Sequence, residues 1–223
     1  MTKPLLIIAI DGLSASGKGT IARKLAAHFD FAYLDTGLLY RAVGLAVLRS
    51  KGDPSDAALA EKTALGFDPS NISGFVDDQA LRSDEASAAA SKVASVPGVR
   101  AALLNFQKDF CAKPPEGKKG AVLDGRDIGT IIAPKAKVKI FVTASPEARA
   151  SRRFKELQAR GQDATYTAVL ADMKERDARD ALRSIAPTKP AIDAVMLDTT
   201  DMNADEAFKE AVRIASTTLA TDL

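Results

Sequence analysis

The sequence is poor in the residue types on which several classes of protein depend. Its 223 residues include one cysteine, Cys111, one histidine, His28, and no tryptophan. A lone cysteine cannot form an internal disulfide, so the chain fits a reducing compartment and Cys111 is interpreted as an ordinary thiol. One cysteine and one histidine cannot supply a Cys/His zinc cluster. Disulfide-stapled folds and Cys/His zinc clusters are therefore excluded.

The chain also lacks an excess of one charge and a long apolar run. Thirty-one Lys and Arg residues face 29 Asp and Glu, a formal net charge of +2, which is too small for a general binder of nucleic acid polymers. The apolar run at 5–10 is too short for a transmembrane helix and lacks the flanks of a signal peptide. We expect a cytoplasmic monomer that binds neither nucleic acid polymers nor membranes.

Short apolar runs alternate with segments of helical spacing. The runs typical of strands lie at 5–10, 31–34, 121–123, 138–143 and 194–197. Helical spacing is found from about residue 20, at 38–50, at 85–112 with a break at Pro97, between Ser145 and Gly161, from Asp163 or Thr165, and from Asn203. Strands that alternate with helices predict an α/β fold built on a parallel, doubly wound sheet.

Local signals predict two helix starts and one irregular region. Ser145 followed by Pro146 is typical of an N-cap and first helical position. Asn203 with Glu206 three residues later predicts a capping pair for the last helix. In the segment 52–84, Asp, Ser, Gly and Pro are scattered among short apolar pieces. We therefore expect this segment to form a small excursion from the sheet without a hydrophobic core of its own.

The segment Gly12–Thr20, with the sequence GLSASGKGT, predicts a phosphate-binding loop because it follows a strand and opens a helix. Its glycines let backbone N–H groups surround an anion, the helix N-terminus adds its positive dipole end, and Lys18 supplies a full charge. Gly19 stands at the usual Ser/Thr position, with the hydroxyl on Thr20. The alternative is a glycine-rich strand-to-helix turn that merely contains a lysine.

A second set of anion-binding candidates follows other predicted strands. Tyr40 and Arg41 come just after Asp35-Thr36-Gly37, Arg100 follows Pro97, and Asp124-Gly125-Arg126-Asp127 follows the run at 121–123. Ligands of open parallel sheets bind beyond the carboxyl ends of the strands, so these groups are expected to converge near the loop. Two such sets indicate a phosphotransferase with two phosphorylated substrates. A GTPase is disfavoured, since no Asn-Lys-x-Asp stretch is present.

Four motifs together resemble one family. GLSASGKGT at 12–20, LDTGLLYR at 34–41, DGRDIGT at 124–130 and KERD at 174–177 occur in the order and spacing of bacterial-type cytidylate kinases, over almost the whole chain. The resemblance implies transfer of the γ-phosphoryl group of ATP to CMP or dCMP with Mg²⁺. Leu13 departs from the family's usual proline, and residues 66–84 are shorter and less strand-like than the family's insert.

The resemblance also implies a role for each matching residue. The expected ATP-binding residues are Gly12, Leu13, Ser14, Ala15, Ser16, Gly17, Lys18, Gly19, Thr20, Arg152 and Arg153, with Thr20 as the Mg²⁺ contact, directly or through water. The expected CMP-binding residues are Asp35, Thr36, Tyr40, Arg41, Ser91, Arg100, Arg126, Asp127, Arg176, Asp180 and Arg183. Within these sets, the groups expected to be catalytic are Lys18, Arg41, Arg126 and Arg183.

Within the CMP set the resemblance implies a division of work. Ser91, Arg100 and Asp127 would recognise cytosine, Arg41 and Arg126 the phosphate, and Arg176 and Asp180 the sugar. It further implies a core at 1–37, 85–147 and 184–223, an NMP-binding segment at 38–84 that extends functionally to about residue 100, and a lid with its following helix at 148–183.

The chemistry of cytosine supports the role of an acid and an arginine. A carboxylate facing the exocyclic amine and a guanidinium facing N3 and O2 would reject uracil, whose O4 would confront the carboxylate. The residues alone leave a salt bridge from Asp127 to Arg126 or to a nearby lysine equally open. No general base is required, because a phosphate oxygen is already largely ionised near pH 7.

Seven arginines between 149 and 183 have two explanations. Six acids share the segment, so a solvated charged helix pair is as good an interpretation as a binding surface. The spacing of Arg176, Asp180 and Arg183 predicts one helical face. Of Arg152 and Arg153, one is expected to reach ATP as the lid closes while the other faces solvent.

Two alternative functions stay open at this point. A related P-loop kinase acting on UMP, AMP or shikimate would share the loop. A non-catalytic nucleotide-binding regulator would bind ATP without transferring its phosphoryl group, and would leave Arg41, Arg126 and Arg183 without a role.

Overall fold

A computed structural model describes residues 6–71 and 79–220 of the chain. The strands are β1 (Leu6–Gly12), β2 (Ala32–Asp35), β3 (Gly120–Gly125), β4 (Val138–Thr143) and β5 (Val195–Asp198). The α-helices are α1 (Lys18–Phe29), α2 (Thr36–Arg49), α3 (Ala57–Leu65), α4 (Asp84–Val93), α5 (Pro97–Ala112), α6 (Pro146–Ala159), α7 (Tyr166–Leu182) and α8 (Ala204–Leu219). Shorter helical turns are Pro69–Asn71, Gln79–Arg82, Pro115–Gly117 and Ile128–Ile132.

The strands form one parallel sheet in the order β2-β3-β1-β4-β5, which confirms the predicted doubly wound α/β fold. β1 lies between two neighbours and is buried along nearly its whole length, as its continuous apolar run predicts. The register pairs Asp35 with Asp124 and Asp11 with Gly125. The carboxyl ends of β1, β2 and β3 therefore meet at one edge of the sheet.

Helices cover both faces of the sheet. On one face Leu25 of α1 and Ile214 of α8 pack with Ile8 and Ile140 in a single buried cluster. On the other face Ile128 and its turn pack over β1 and β3, with Phe106 and Phe110 of α5 at the margin. The strands are thereby fixed from both sides, so the polar groups at their carboxyl ends rest on a rigid base.

The predicted helix starts are confirmed. The Ser145 side chain accepts a hydrogen bond from the Ala148 amide with Pro146 in the first turn, Thr165 caps α7, and Asn203 and Glu206 form a reciprocal capping box. None of the helices within the described ranges has the length and apolar composition needed to cross a bilayer.

The region 52–84 is more regular than its composition predicts, because it contains the nine-residue helix α3. Ala60 and Ala64 of α3 join a buried cluster with residues of α2, α4 and α5, so this helix packs into the core of its neighbours. α2 and α4 approach closely at Gly44, where a Cβ would lie 2.9 Å from the Ala89 backbone. The prediction on the insert at 66–84 falls in part on 72–78, outside the described residues.

Candidate active site

A cavity of about 670 Å³ lies at the carboxyl edge of the sheet. Its wall is formed by the loop after β1, the ends of β2 and β3, helices α4 and α5, the helix pair α6–α7, and the loop after β5. Nearly all of the predicted site residues line it: Ala15, Ser16, Gly17, Lys18, Gly19, Thr20, Asp35, Thr36, Tyr40, Arg41, Ser91, Arg100, Arg126, Asp127, Arg152, Arg153, Arg176, Asp180 and Arg183. Gly12 and Leu13 do not line the cavity, and Ser14 lines an adjoining part of the cleft.

The loop between β1 and α1 is held by its own backbone and by β4. Gly12 has a φ of 149°, and a Cβ there would lie 2.0 Å from the Val142 carbonyl oxygen, so this position requires glycine. Ser16 is fully buried, and its hydroxyl donates to the Leu13 carbonyl at 2.9 Å. Gly17 caps α1 with a φ of 89° and without a side-chain hydrogen bond. The first amides of α1 therefore face the cavity without a capping side chain in the way.

Lys18 supplies the cation at the start of α1. Its Nζ lies 3.7 Å from Asp124 Oδ1. Burial, and then repulsion from Arg126, lowers the pKa of Lys18 to about 8, against the opposing attraction of Asp124 and Asp35. Burial disfavours the charged form of Lys18. An anionic ligand such as a phosphate would stabilise that charged form, and the lysine would in turn strengthen binding of the anion.

Asp124 is the acid that pairs with Lys18. Burial, with a further contribution from the nearby Asp35 carboxylate, raises its pKa, although Lys18 and Arg126 oppose the rise. The Tyr33 hydroxyl donates to Asp124 Oδ2 at 3.3 Å. A Cβ on Gly19 would lie 3.0 Å from Asp124 Oδ2, so the glycine at the usual Ser/Thr position leaves room for the carboxylate beside α1.

The oxygen atoms around this point fit a magnesium ion that is bound mainly through substrate. Thr20, Asp35 and Asp124 all line the cavity, and Asp35 is the N-cap residue of α2 without using its side chain to cap it. Among the residues that the structure describes, no group of three or more His, Cys, Asp or Glu is placed to hold a metal by itself. Magnesium is commonly held by one or two protein oxygens plus phosphates and water, which is the set available here.

Opposite the loop, two arginines surround one carboxylate. Arg126 Nε and Arg176 Nε lie 3.5 Å and 3.9 Å from Asp180 Oδ2, and the Ser91 hydroxyl donates to Asp180 Oδ1 at 2.9 Å. Burial alone would raise the pKa of Asp180, but the neighbouring guanidinium groups outweigh it and lower the pKa. The carboxylate is therefore ionised and holds the two arginines at the cavity wall.

Arg176 carries an unsatisfied donor. Its Nε is buried and has no hydrogen-bond partner within the described part of the chain, while its Nη1 donates to the Ser87 hydroxyl. Burial, and then repulsion from Arg126, lowers the pKa of Arg176 to about 10. An uncompensated buried donor is costly, so this side of the cavity is suited to an oxygen-rich ligand.

Arg100 and Asp127 form an ion pair at the far end of the cavity. The Arg100 guanidinium also lies 5.4 Å from the centre of the Tyr40 ring. Neither of the alternative partners considered for Asp127, Arg126 or a lysine, is the one observed. A partner 27 positions away in sequence is not accessible to arguments from local spacing.

Arg41 and Arg183 are held by neighbouring oxygens. Arg41 Nη1 donates to the Leu81 carbonyl at 3.1 Å, and Arg183 Nη2 donates to the Thr188 hydroxyl at 3.4 Å. Arg183 directly follows Leu182, the last residue of α7, with a helical φ of −57°, so its side chain leaves the backbone on the face that the spacing predicts. Arg183 lines the cavity together with Arg176 and Asp180.

Arg152 and Arg153 both line the cavity, so the expectation that one of them faces solvent is wrong. Arg152 donates to the hydroxyl and carbonyl of Thr199 in the loop after β5. Arg153 instead pairs with Asp84 at the start of α4 and with Glu156 on its own helix. The two neighbouring arginines thus connect α6 to opposite walls of the cleft.

Sequence analysis missed three polar residues that hold the site together. The Thr199 hydroxyl donates to the Ser16 carbonyl at 2.9 Å. Asp11 accepts hydrogen bonds from the amides of the turn after β3, and burial raises its pKa to about 7. Arg149 is 2% exposed and donates to the Ser14 and Ala144 carbonyls. The signal available for Asp11 was an acid at the end of a buried apolar strand, where a charge is costly without partners.

Comparison with known proteins assigns the family. The sequence model described as cytidylate kinase matches residues 8–217. The chain is 60% identical over 208 residues to a cytidylate kinase of Paramagnetospirillum magneticum, covering 93% of this chain and 96% of the relative. It is 55% identical over 209 residues to one of Rhodospirillum rubrum, covering 94% and 96%. A crystal structure of an uncharacterized protein from Eubacterium ventriosum shares the fold, with a TM-score of 0.52, 18% identity, and coverage of 96% and 99%. A family match over most of the chain, together with the anion-binding cleft that its motifs build, shows that this chain belongs to the cytidylate kinase family.

Proposed function

We propose that the chain transfers the γ-phosphoryl group of ATP to CMP or dCMP, giving ADP and CDP or dCDP. The observation that carries the proposal is a single cavity with cationic groups on two sides: Lys18 at the start of α1, and Arg126 and Arg176 opposite it. Two polyanions can be held there face to face while their mutual repulsion is neutralised. Family membership supports the same conclusion.

The ATP side is built from the loop 12–20 and the start of α1. The amides at the N-terminus of α1 and the Lys18 ammonium suit the β- and γ-phosphates. Arg152 and Arg153 on α6 line the same cavity, where their guanidinium groups would bind a nucleoside triphosphate. Thr20, Asp35 and Asp124 would hold Mg²⁺ together with the phosphates, and the metal when bound neutralises charge that develops between them.

The CMP side is built from α2, α4, α5 and the segments after β3 and α7. Arg41 and Arg126 would bind the phosphate, with Thr36 and Tyr40 lining the pocket. Arg176 and Asp180 would contact the sugar, and Arg183 would reach the phosphates. Ser91, Arg100 and Asp127 would recognise the base. The unsatisfied Nε of Arg176 supports this arrangement, because a substrate oxygen would supply its missing partner.

The chemical step requires positioning more than proton transfer. An ionised oxygen of the CMP phosphate attacks the γ-phosphorus, and the bond from that phosphorus to the bridging oxygen of ADP breaks as the new bond forms. The acceptor oxygen is already deprotonated near pH 7, because the second pKa of a phosphate lies at about 6. Lys18 and the arginines align the two groups and stabilise the charge on the transferred oxygens. Closure of the segment 148–183 over the cleft would exclude water and limit hydrolysis of ATP.

A substrate panel tests this function. ADP release is measured by a coupled assay with CMP, dCMP, UMP, AMP and shikimate at equal concentration. Transfer to CMP or dCMP in clear preference to the others is expected. A preference for AMP or shikimate would replace the substrate assignment, and binding of ATP without transfer to any acceptor would favour the non-catalytic regulator.

A further inference from the structure

The turn that follows Asp127 has an unusual cap. Asp127 is the N-cap residue of the turn Ile128–Ile132, yet its side chain makes no capping hydrogen bond. An aspartate at this position ordinarily accepts from the amides of the next residues. Here the Asp127 carboxylate pairs with Arg100 instead.

Asp11, at the end of β1, takes the place of that cap. Its Oδ1 accepts from the Ile128 amide at 2.8 Å and its Oδ2 accepts from the Gly129 amide at 2.7 Å. Side chains alternate along a strand, so Asp11 lies on the same face of β1 as Ala9, which packs in the cluster that contains Ile128. The carboxylate therefore approaches the turn from the sheet, 117 positions earlier in sequence.

Both amides would otherwise be buried donors without a partner. Unpaired buried amides are costly, and the N-cap side chain is the acceptor that such turns commonly use. If Asp11 did not occupy both donors, the Asp127 carboxylate would be drawn toward the turn and away from the cavity. Because Asp11 caps the turn, the Asp127 carboxylate is available to the cavity.

We propose that Asp11 is a positioning residue for base recognition: it caps the turn Ile128–Ile132 in place of Asp127, and so keeps the Asp127 carboxylate in the cavity for the amine of cytosine. This inference rests on the proposed CMP site. It predicts that Asp11 acts on the affinity for the pyrimidine base and on the choice between cytosine and uracil, but not on the binding of ATP.

Steady-state kinetics of D11N and D11A test the proposal. Asparagine can accept from one amide but faces the other with its NH₂ group, and alanine accepts from neither, so the effect should be larger for D11A. We expect the KM for CMP to rise about tenfold for D11N, and the ratio of kcat/KM for CMP over UMP to fall by a similar factor. The KM for ATP should stay within about twofold.

The matched control is I8V, a substitution on the same strand in the cluster on the opposite face of the sheet. It should lower Tm while leaving both KM values and the CMP/UMP ratio unchanged. If D11N raised the KM values for CMP and ATP equally and left the CMP/UMP ratio at the wild-type value, Asp11 would be a merely structural residue and the proposal would be overturned.

A double-mutant cycle with D127N separates this inference from the proposed function. If Asp11 acts through Asp127, D11N should cost little further KM for CMP in the D127N background. Full additivity would overturn the positioning role. If D127N alone changed neither the KM for CMP nor the CMP/UMP ratio, the proposed base site itself would fail. An effect of D127N without any effect of D11N would remove only the present inference.

Hydrogen exchange of the wild-type protein gives a check that does not depend on the folding of any variant. The Ile128 and Gly129 amides should exchange slowly near neutral pH, at rates comparable with amides in the middle of β1. Fast exchange at these two positions, with β1 protected, would show that Asp11 does not hold the turn and would overturn the proposal.

Discussion

The Arg100 guanidinium is paired with the Asp127 carboxylate inside the cavity, and the two side chains are 10% and 7% exposed. The two groups proposed to read opposite hydrogen-bonding positions of cytosine thus neutralise each other before the base arrives. Cytosine offers a hydrogen-bond donor to the Asp127 carboxylate and acceptors to the Arg100 guanidinium. The base can therefore give each side chain a new partner when their ion pair opens. Uracil would place an oxygen against the carboxylate and leave it unpaired.

Loss of the carboxylate charge at Asp127 should reduce the discrimination between CMP and UMP. A hydrogen bond to a charged group contributes about 1.5–3 kcal/mol, so D127N should lower the CMP/UMP ratio of kcat/KM about 10-fold to 100-fold. Competitive turnover with both nucleotides measures the ratio. D109N is the matched control, since Asp109 is exposed on α5, the helix that carries Arg100, and its ratio should equal the wild-type value.

Removal of the Lys18 charge should abolish most turnover. K18M removes the cation at the start of α1, and kcat should fall by about 100-fold or more because charge on the transferred group is no longer neutralised. Binding of CMP, followed by calorimetry, should be largely intact. K24M provides the control on the same helix, where Lys24 pairs with Asp205 at the surface; near-normal turnover of K18M would contradict the assignment.

The pH dependence of ATP capture should follow the proton on Lys18. Burial lowers its pKa to about 8, and the cation is the active form, so kcat/KM for ATP should decline as the pH rises through about 8. The alkaline limb of kcat should lie at higher pH, because bound phosphates stabilise the cation. K18R, whose guanidinium stays charged, should show no such limb in its pH profile. An unchanged limb in K18R would assign it to another group.

The close approach of α2 and α4 should make Gly44 intolerant of a methyl group. In G44A the new Cβ would lie 2.9 Å from the Ala89 backbone. Overpacking of about 1–3 kcal/mol should exceed the gain of about 1 kcal/mol in helix propensity, for a net loss of stability.

Urea unfolding of G66A provides the matched comparison. Gly66 has a φ of −85°, and its nearest neighbour to an added Cβ is 3.7 Å away. This substitution should therefore stabilise the protein by about 0.4–1 kcal/mol, because alanine lowers the conformational entropy of the unfolded chain. The two midpoints should shift in opposite directions at constant m; a stabilised G44A would refute the packing argument.

The parts of the fold that sequence predicts are those encoded by neighbouring residues. The apolar run before Asp11 specified a central strand, and Asn203 with Glu206 specified a helix start, because a capping box depends on residues three positions apart. The helix α3 was missed because its short, alanine-rich sequence lies among breakers, and tertiary packing of Ala60 and Ala64 stabilises it.

The site was predictable as a set of residues but not as a set of partners. The convergence of loops at one sheet edge follows from the parallel order of the strands. Asp127 pairs with Arg100, 27 positions away, and Ser91 donates to Asp180, 89 positions away. Local spacing cannot predict such contacts. The spacing of Arg176, Asp180 and Arg183 could be used from the sequence, because helical periodicity extends to the residue that directly follows Leu182.

The buried Arg149 side chain constrains how the α6–α7 pair can swing. It ties the root of α6 to the Ser14 carbonyl and, through a 2.7 Å ion pair, to Asp177 in α7. In the lid closure proposed above, this contact would serve as the pivot, so the end of the pair around Gly161 would move farthest and the start of α6 least. Arg153, one turn along α6, would then move only a short distance.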